Sequence, residues 1–156
     1  MHFHPKALIA TAGPDLGQDF ITASGGDKYT EGVFVPNGWY SQADTFENAA
    51  MVQEYSARYH VSANQVNADV AEAFSAGQVL QQAVEQTHSF NNVTLMSYLH
   101  AKGSLFNTVQ GPTQFAEDGH NIQSVAYLFQ WQKGQLIPVY PEFVAVALPE
   151  YSTYAF

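Results

Sequence analysis

The sequence predicts an α/β fold, and three observations carry that reading. A short apolar run, a helix-spaced segment and a second short apolar run follow one another within residues 6–35, the order of one βαβ unit. Helical periodicity then holds over about residues 64–86. Residues 111–141 read as turn, strand, tight turn, strand.

Totals bound the answer. The 156 residues suffice for one ordinary domain and one core. Apolar residues make up 46% and charged residues 12%, which excludes a disordered chain. The absence of cysteine excludes a disulfide framework, a zinc–thiolate site and a cysteine nucleophile, and leaves the redox compartment open. A formal charge of −9 argues against a nucleic-acid partner, which needs clustered Lys and Arg. No apolar run approaches the roughly 20 residues of a membrane helix. The opening Met1-His-Phe-His-Pro-Lys lacks the pattern of a signal peptide.

In chain order, Ala7-Leu-Ile-Ala-Thr11 is expected to be a buried strand bounded by Pro5 and Gly13-Pro14. Leu16 to Ser24 is helix-spaced and stops at Gly25-Gly26. Gly32-Val-Phe-Val35 is a second strand, stopped by Pro36-Asn37-Gly38. Such a unit binds ligands at the carboxyl ends of its strands. Asp44 with Glu47 has capping-box spacing and predicts a helix whose apolar side is Phe46, Ala50, Tyr55 and Tyr59. The long helix carries Val66, Val70, Phe74, Gly77, Leu80 and Val84 at steps of three and four. Small residues from Ala68 to Gly77 leave a surface that another element can approach closely. A third helix runs from about Asn92 to Ala101; Asn92-Val93-Thr94 also fits a glycosylation sequon, but reads as the helix start. Glu117-Asp118-Gly119 is a turn, because Gly119 can take positive φ. Ser124 to Gln132 and Gln135 to Tyr140 are strands joined at Lys133-Gly134. Glu142 to Phe156 reads as a weakly specified tail.

Several of these residues form a recognisable series. Asn107-Thr108-Val109, Gly111-Pro112, Phe115 and Gly119 are followed by Gln130-Trp131, Gly134 and Val139-x-Pro141. This run resembles the C-terminal signature of the type I periplasmic binding proteins, the Leu/Ile/Val-binding receptors of ABC importers. Gly13-Pro14-Asp15 with Glu31-Gly32-Val33-Phe34-Val35 is similar to the loop and strand of that family's second lobe. Trp39 resembles the aromatic that often follows there. Ala73 to Val84 resembles the family helix written Tyr-Asp-Ala-x-x-Val-Leu-x-x-Ala-Val. The matches run in family order from about Pro5 to Pro141.

The resemblance implies two Rossmann-like αβα lobes joined by hinge crossovers that close over a small ligand. This chain matches only the C-terminal portion and is expected to be a fragment, which accounts for the missing signal. Residues 5–36 and 122–146 are assigned to the second lobe, 39–118 to the first, and 147–156 to the tail. Asp15 matches the acidic position that faces the ligand's α-ammonium in amino-acid-binding members; here it is Asp, one methylene shorter than Glu. Taken without the resemblance, Asp15 instead reads as the cap of the helix beginning at Leu16. Thr11 and Ala12 at the strand's end are expected to line the cleft. Trp39 either stacks on ligand or packs in the hinge, with packing favoured beside Pro and Gly. No cofactor is implied. The implied partners are a small amino acid of branched-chain type or a related polar metabolite, and an ABC permease. The implied location is periplasmic or extracellular. Self-association follows if half of a two-lobed protein leaves apolar surface uncovered.

Other constellations are weaker. His2 and His4 would share a strand face but have no third ligand near. His60, His88, His100 and His120 show no His-Glu-x-x-His spacing. Ser24-Gly25-Gly26-Asp27-Lys28 is not a P-loop, and Gly-x-Ser-x-Gly is absent. Two rivals to a transport receptor remain: a sensory receptor built on the same lobes, and a small α/β hydrolase using Asp15 with a histidine.

Overall fold

The computed structural model describes residues 5–11, 13–101 and 103–151. Its elements are α1 (Gln18–Ser24), β1 (Phe34–Asn37), α2 (Asn48–Tyr59), α3 (Ala68–Thr87), α4 (Asn92–Leu99), β2 (Phe106–Thr108), β3 (Gly111–Thr113), β4 (Tyr127–Gln132) and β5 (Gln135–Tyr140). Short 3₁₀ turns at Asp27–Tyr29 and Ala63–Gln65 precede β1 and α3. Two compact units result: Met1–Tyr40, Val61–Ala68 and Ala126–Phe156 form one; Ser41–His60 and Asp69–Val125 form the other.

The first unit is built on an antiparallel sheet of order β1-β4-β5. Val35 stands opposite Phe129 and Phe34 opposite Gln130. Alternation therefore sends Val33, Val35, Phe129 and Trp131 to one face, where they form a core with Ile21 of α1. Burying each of these large side chains contributes roughly 1.5–3 kcal/mol. Lys133 (φ 53) and Gly134 (φ 73) close the β4–β5 hairpin with both turn residues at positive φ. That geometry suits the strand twist and favours glycine at the second position. Gly25 (φ 87) ends α1 in the left-handed conformation, where the lack of a Cβ removes the penalty.

The segment before α1 departs from expectation. Leu8 and Ala10 bond to Phe34, and Ile9 forms a parallel bridge with it, as a βαβ order requires. Yet Ile9 is 61% exposed and Leu8 is exposed as well. Only Ala10 packs on the core. The run is an edge segment with one paired side, not a buried strand.

The second face of the sheet carries two glutamines beside the buried Phe34. Gln130 and Gln132 are almost fully covered. The Gln130 amide donates to the Glu150 carbonyl (2.5 Å) and accepts from its N–H (2.7 Å). Gln132 donates to the Leu148 carbonyl (2.9 Å). Residues 148–150, expected to be weakly specified, are thus held through their backbone by two strand glutamines. The signal was missed because it sits in β4 and not in the tail.

In the second unit the helices turn faces other than those predicted. α2 begins at Asn48, not after an Asp44 cap: Glu47 at the N-cap is left-handed and makes no side-chain cap bond. The buried Asn48 amide donates to the Ser41 and Ala43 carbonyls (3.2 and 2.8 Å), which sets the start. Asn48, Met51 and Val52 are buried, while Phe46 and Tyr59 are exposed. In the first unit, Ser62 and Gln65 form a true capping box just before α3.

On α3 the buried face is Ala71, Ser75, Gln78 and Ala83. Phe74 and Leu80 are 41% and 54% exposed. The reason is polar. Gln78 accepts from the Val109 N–H (2.8 Å) and donates to Glu47 (3.1 Å). Gln82 donates to the Asn107 carbonyl (2.9 Å) and accepts from its N–H (3.1 Å). Buried strand amides must be satisfied, and these glutamines satisfy them. Facing them toward residues 107–109 rotates the larger apolar residues outward. The Thr45 hydroxyl completes the arrangement by donating to the Val109 carbonyl (2.5 Å). α4 starts as expected: Asn91 accepts from the Val93 and Thr94 amides. Leu95, Phe106 and Ala83 form this unit's core, with Tyr98 edge-on to Phe106 at 5.9 Å between ring centroids.

Candidate functional site

The candidate site is the loop between the edge segment and α1. Gly13 and Gly17 both have positive φ (93° and 63°), and the Leu16 N–H donates to the Gly13 carbonyl (3.0 Å). Between them Pro14 is buried and Asp15 half-buried. The loop is fixed from below: the buried Trp131 indole N–H donates to the Pro14 carbonyl at 2.8 Å. A buried indole N–H needs such a partner. Trp131 therefore fills the core and holds the residue next to Asp15.

The capping reading of Asp15 does not hold. α1 takes Gly17 as its N-cap, with no side-chain cap bond. Among the described residues the Asp15 carboxylate has no hydrogen-bond or ion-pair partner. Thr11 lies exposed on the same stretch; Ala12 lies outside the described residues. Trp39 is 3% exposed, so its ring is packed in the protein. Its neighbour Tyr40 packs edge-on against Phe129 and Tyr127. The structure thus brings Thr11 and Asp15 to one loop and buries Trp39.

Sequence reasoning missed Trp131 as a support of this loop. Both ends of the contact were in view, Gly13-Pro14-Asp15 and Gln130-Trp131, but a separation of 117 positions hides their pairing.

A second cluster lies on the turn after β3. Asp118 accepts from the His120 backbone N–H (3.2 Å) and contacts its ring nitrogen. The backbone bond first, then the ring, hold the Asp118 carboxyl below the usual carboxylate range. Ala116, Glu117, Asp118 and His120 line an open depression. Among the described residues no group of three or more His, Asp or Glu is placed to hold a metal. His2 and His4 lie outside them. Among the described residues no helix is long and apolar enough to cross a membrane.

The sequence profile described as "Periplasmic binding protein" matches residues 4–135. The chain belongs to the periplasmic binding protein family. The binding-protein fold also appears among solved structures. The branched-chain amino acid transporter substrate binding protein LivJ from Streptococcus pneumoniae, in complex with isoleucine, superposes with a TM-score of 0.68 at 19% identity over 85% of this chain. The leucine binding protein LivK from Thermotoga maritima gives 0.65 at 19% over 83%. A solute binding protein from R. palustris in complex with benzoate gives 0.57 at 20% over 71%. The chain spans about a third of these relatives' own length: 36%, 35% and 30%. At such identities the likeness speaks for the fold. No curated protein matches the sequence.

Proposed function

We propose that this chain is the C-terminal portion of the substrate-binding component of an ABC importer, and that the ligand is a small amino acid of branched-chain type. The observation that carries the reading is the Asp15 carboxylate. It is half-buried on a loop fixed by Trp131 and is not engaged as a cap. A carboxylate in a closing cleft gains by pairing with a ligand ammonium and loses if left unpaired. Three relatives whose structures carry leucine, isoleucine or valine support that ligand class; one carrying benzoate marks the range of the fold.

On this reading residues 5–36 and 122–146 belong to one lobe and 39–118 to the other, with Thr11, Ala12 and Asp15 facing the cleft and Trp39 packed in the crossover. Ligand bridges the lobes, stabilises the closed form by differential affinity, and the closed form docks on a permease in the periplasm. The isolated chain self-associates, because Tyr140, Phe143, Val146, Leu148 and Tyr151 are exposed. A single monomeric boundary in sedimentation at high concentration would remove that part.

The test is a thermal-shift panel of L-amino acids on the chain extended by the upstream portion this reading supplies, with the present chain alongside. A branched-chain amino acid raises the melting temperature of the extended chain. No shift with any amino acid refutes the ligand class. A sensory receptor on the same lobes would give the same shift, but would be encoded without a permease.

A further inference from the structure

Asn37 ends β1, and Gly38 follows it in an exposed bend. The Gly38 N–H donates to the Asn37 side-chain oxygen at 2.7 Å. The side chain is therefore folded back on the next peptide nitrogen, and its amide carbon lies beside that nitrogen. Glycine at 38 has no Cβ to shield the approach. We propose that Asn37-Gly38 is a site of spontaneous modification, where the asparagine amide is converted to aspartate and isoaspartate through a succinimide.

The chemistry needs only water. The Gly38 nitrogen gives its proton to solvent base and bonds to the Asn37 amide carbon. The carbon–NH₂ bond breaks, and the nitrogen takes up a proton and leaves as ammonia. Water then opens the five-membered imide at either carbonyl. Attack at one restores the normal backbone with Asp at 37; attack at the other routes the main chain through the side-chain carbonyl. Nothing is oxidised or reduced, and each product carries one more negative charge.

The chain contains its own controls. Asp118-Gly119 is the one other place where Asn or Asp precedes glycine, and there the Asp118 oxygen is engaged by His120. An ionised carboxylate so held is a poor electrophile. Asn48 lies on the same tryptic peptide as Asn37, residues 29–58, but is buried with its amide donating to two carbonyls. The location gives the reaction a consequence. Trp39 and Tyr40 follow directly, and after Tyr40 the chain passes from one unit to the other. An isoaspartate at 37 adds a methylene to the main chain just before that passage.

The experiment incubates the folded chain at mildly alkaline pH and maps tryptic peptides by mass and by isoaspartate assay over time. Peptide 29–58 should gain the amide-to-acid mass shift at Asn37 faster than any other asparagine is converted, with isoaspartate present. Gly38→Ala should slow that gain, and Asn37→Gln should abolish it. Conversion at Asn37 no faster than at Asn48 or Asn92, or a Gly38→Ala rate equal to wild type, overturns the proposal. The outcome does not depend on which ligand the chain binds.

Discussion

The two units solve the same problem with different residues. In the sheet unit, large apolar side chains alternate along β1 and β4 and meet in a core of Ile21, Val33, Val35, Phe129 and Trp131. In the helical unit, α3 buries alanine, serine and glutamine, and leaves Phe74 and Leu80 in solvent. Yet both rely on glutamine pairs that bond backbone: Gln130 and Gln132 hold residues 148–150, Gln78 and Gln82 hold residues 107–109. A side-chain amide carries one acceptor and two donors, so it can stand in for a neighbouring strand. A face chosen by amides and a face chosen by hydrophobicity therefore coexist in one chain.

Substitutions can break that comparison. The largest loss should come from the apolar core: Trp131→Ala removes a buried ring and the bond to Pro14, and should cost about 3–5 kcal/mol in urea unfolding. A cost under 1 kcal/mol would mean that the sheet does not rest on this face. Next comes Gln78→Ala, which leaves the buried Val109 N–H without its partner and should cost about 1–3 kcal/mol. Hydrogen exchange at Val109 should rise with it; unchanged protection there would show that the amide is not what holds the segment. Phe74→Ser and Leu80→Ser should each stay within about 0.5 kcal/mol, since both side chains are exposed. A loss of core size in either would restore the apolar stripe as the packed face. The smallest effect is electrostatic. The lowered pKa of Asp118 means that its contribution is present at neutral pH and above the unfolded value, and is lost as pH falls through the folded one. Asp118 is exposed, so the change should be slight. Carboxyl NMR in acid should place its titration below that of an ordinary aspartate; an ordinary midpoint would deny the His120 bond.

The comparison also explains what the sequence made legible. The β4–β5 hairpin, α1 with its glycine stop and the start of α4 at Asn92 were readable, because local chemistry decides each of them, although the capping side chain is that of Asn91. The family series was readable because Gly-Pro, Gln-Trp and Val-x-Pro stand in order. The packed faces of α2 and α3 were not readable, because Asn48, Gln78 and Gln82 choose them through partners that no periodicity count includes. The edge position of residues 8–10 was hidden for a similar reason: an apolar run does not say how many neighbours it has. At the candidate site, Asp15 was visible, but the Trp131 bond that fixes its loop was not.

The central claim is that Asp15 pairs with a ligand ammonium. Calorimetry on the extended chain, with leucine and with its analogue lacking the amino group, tests it through Asp15→Asn. The account predicts that the substitution weakens leucine binding by roughly 2 kcal/mol or more and leaves the analogue nearly unchanged. Equal losses for the two ligands, or none for leucine, would contradict it.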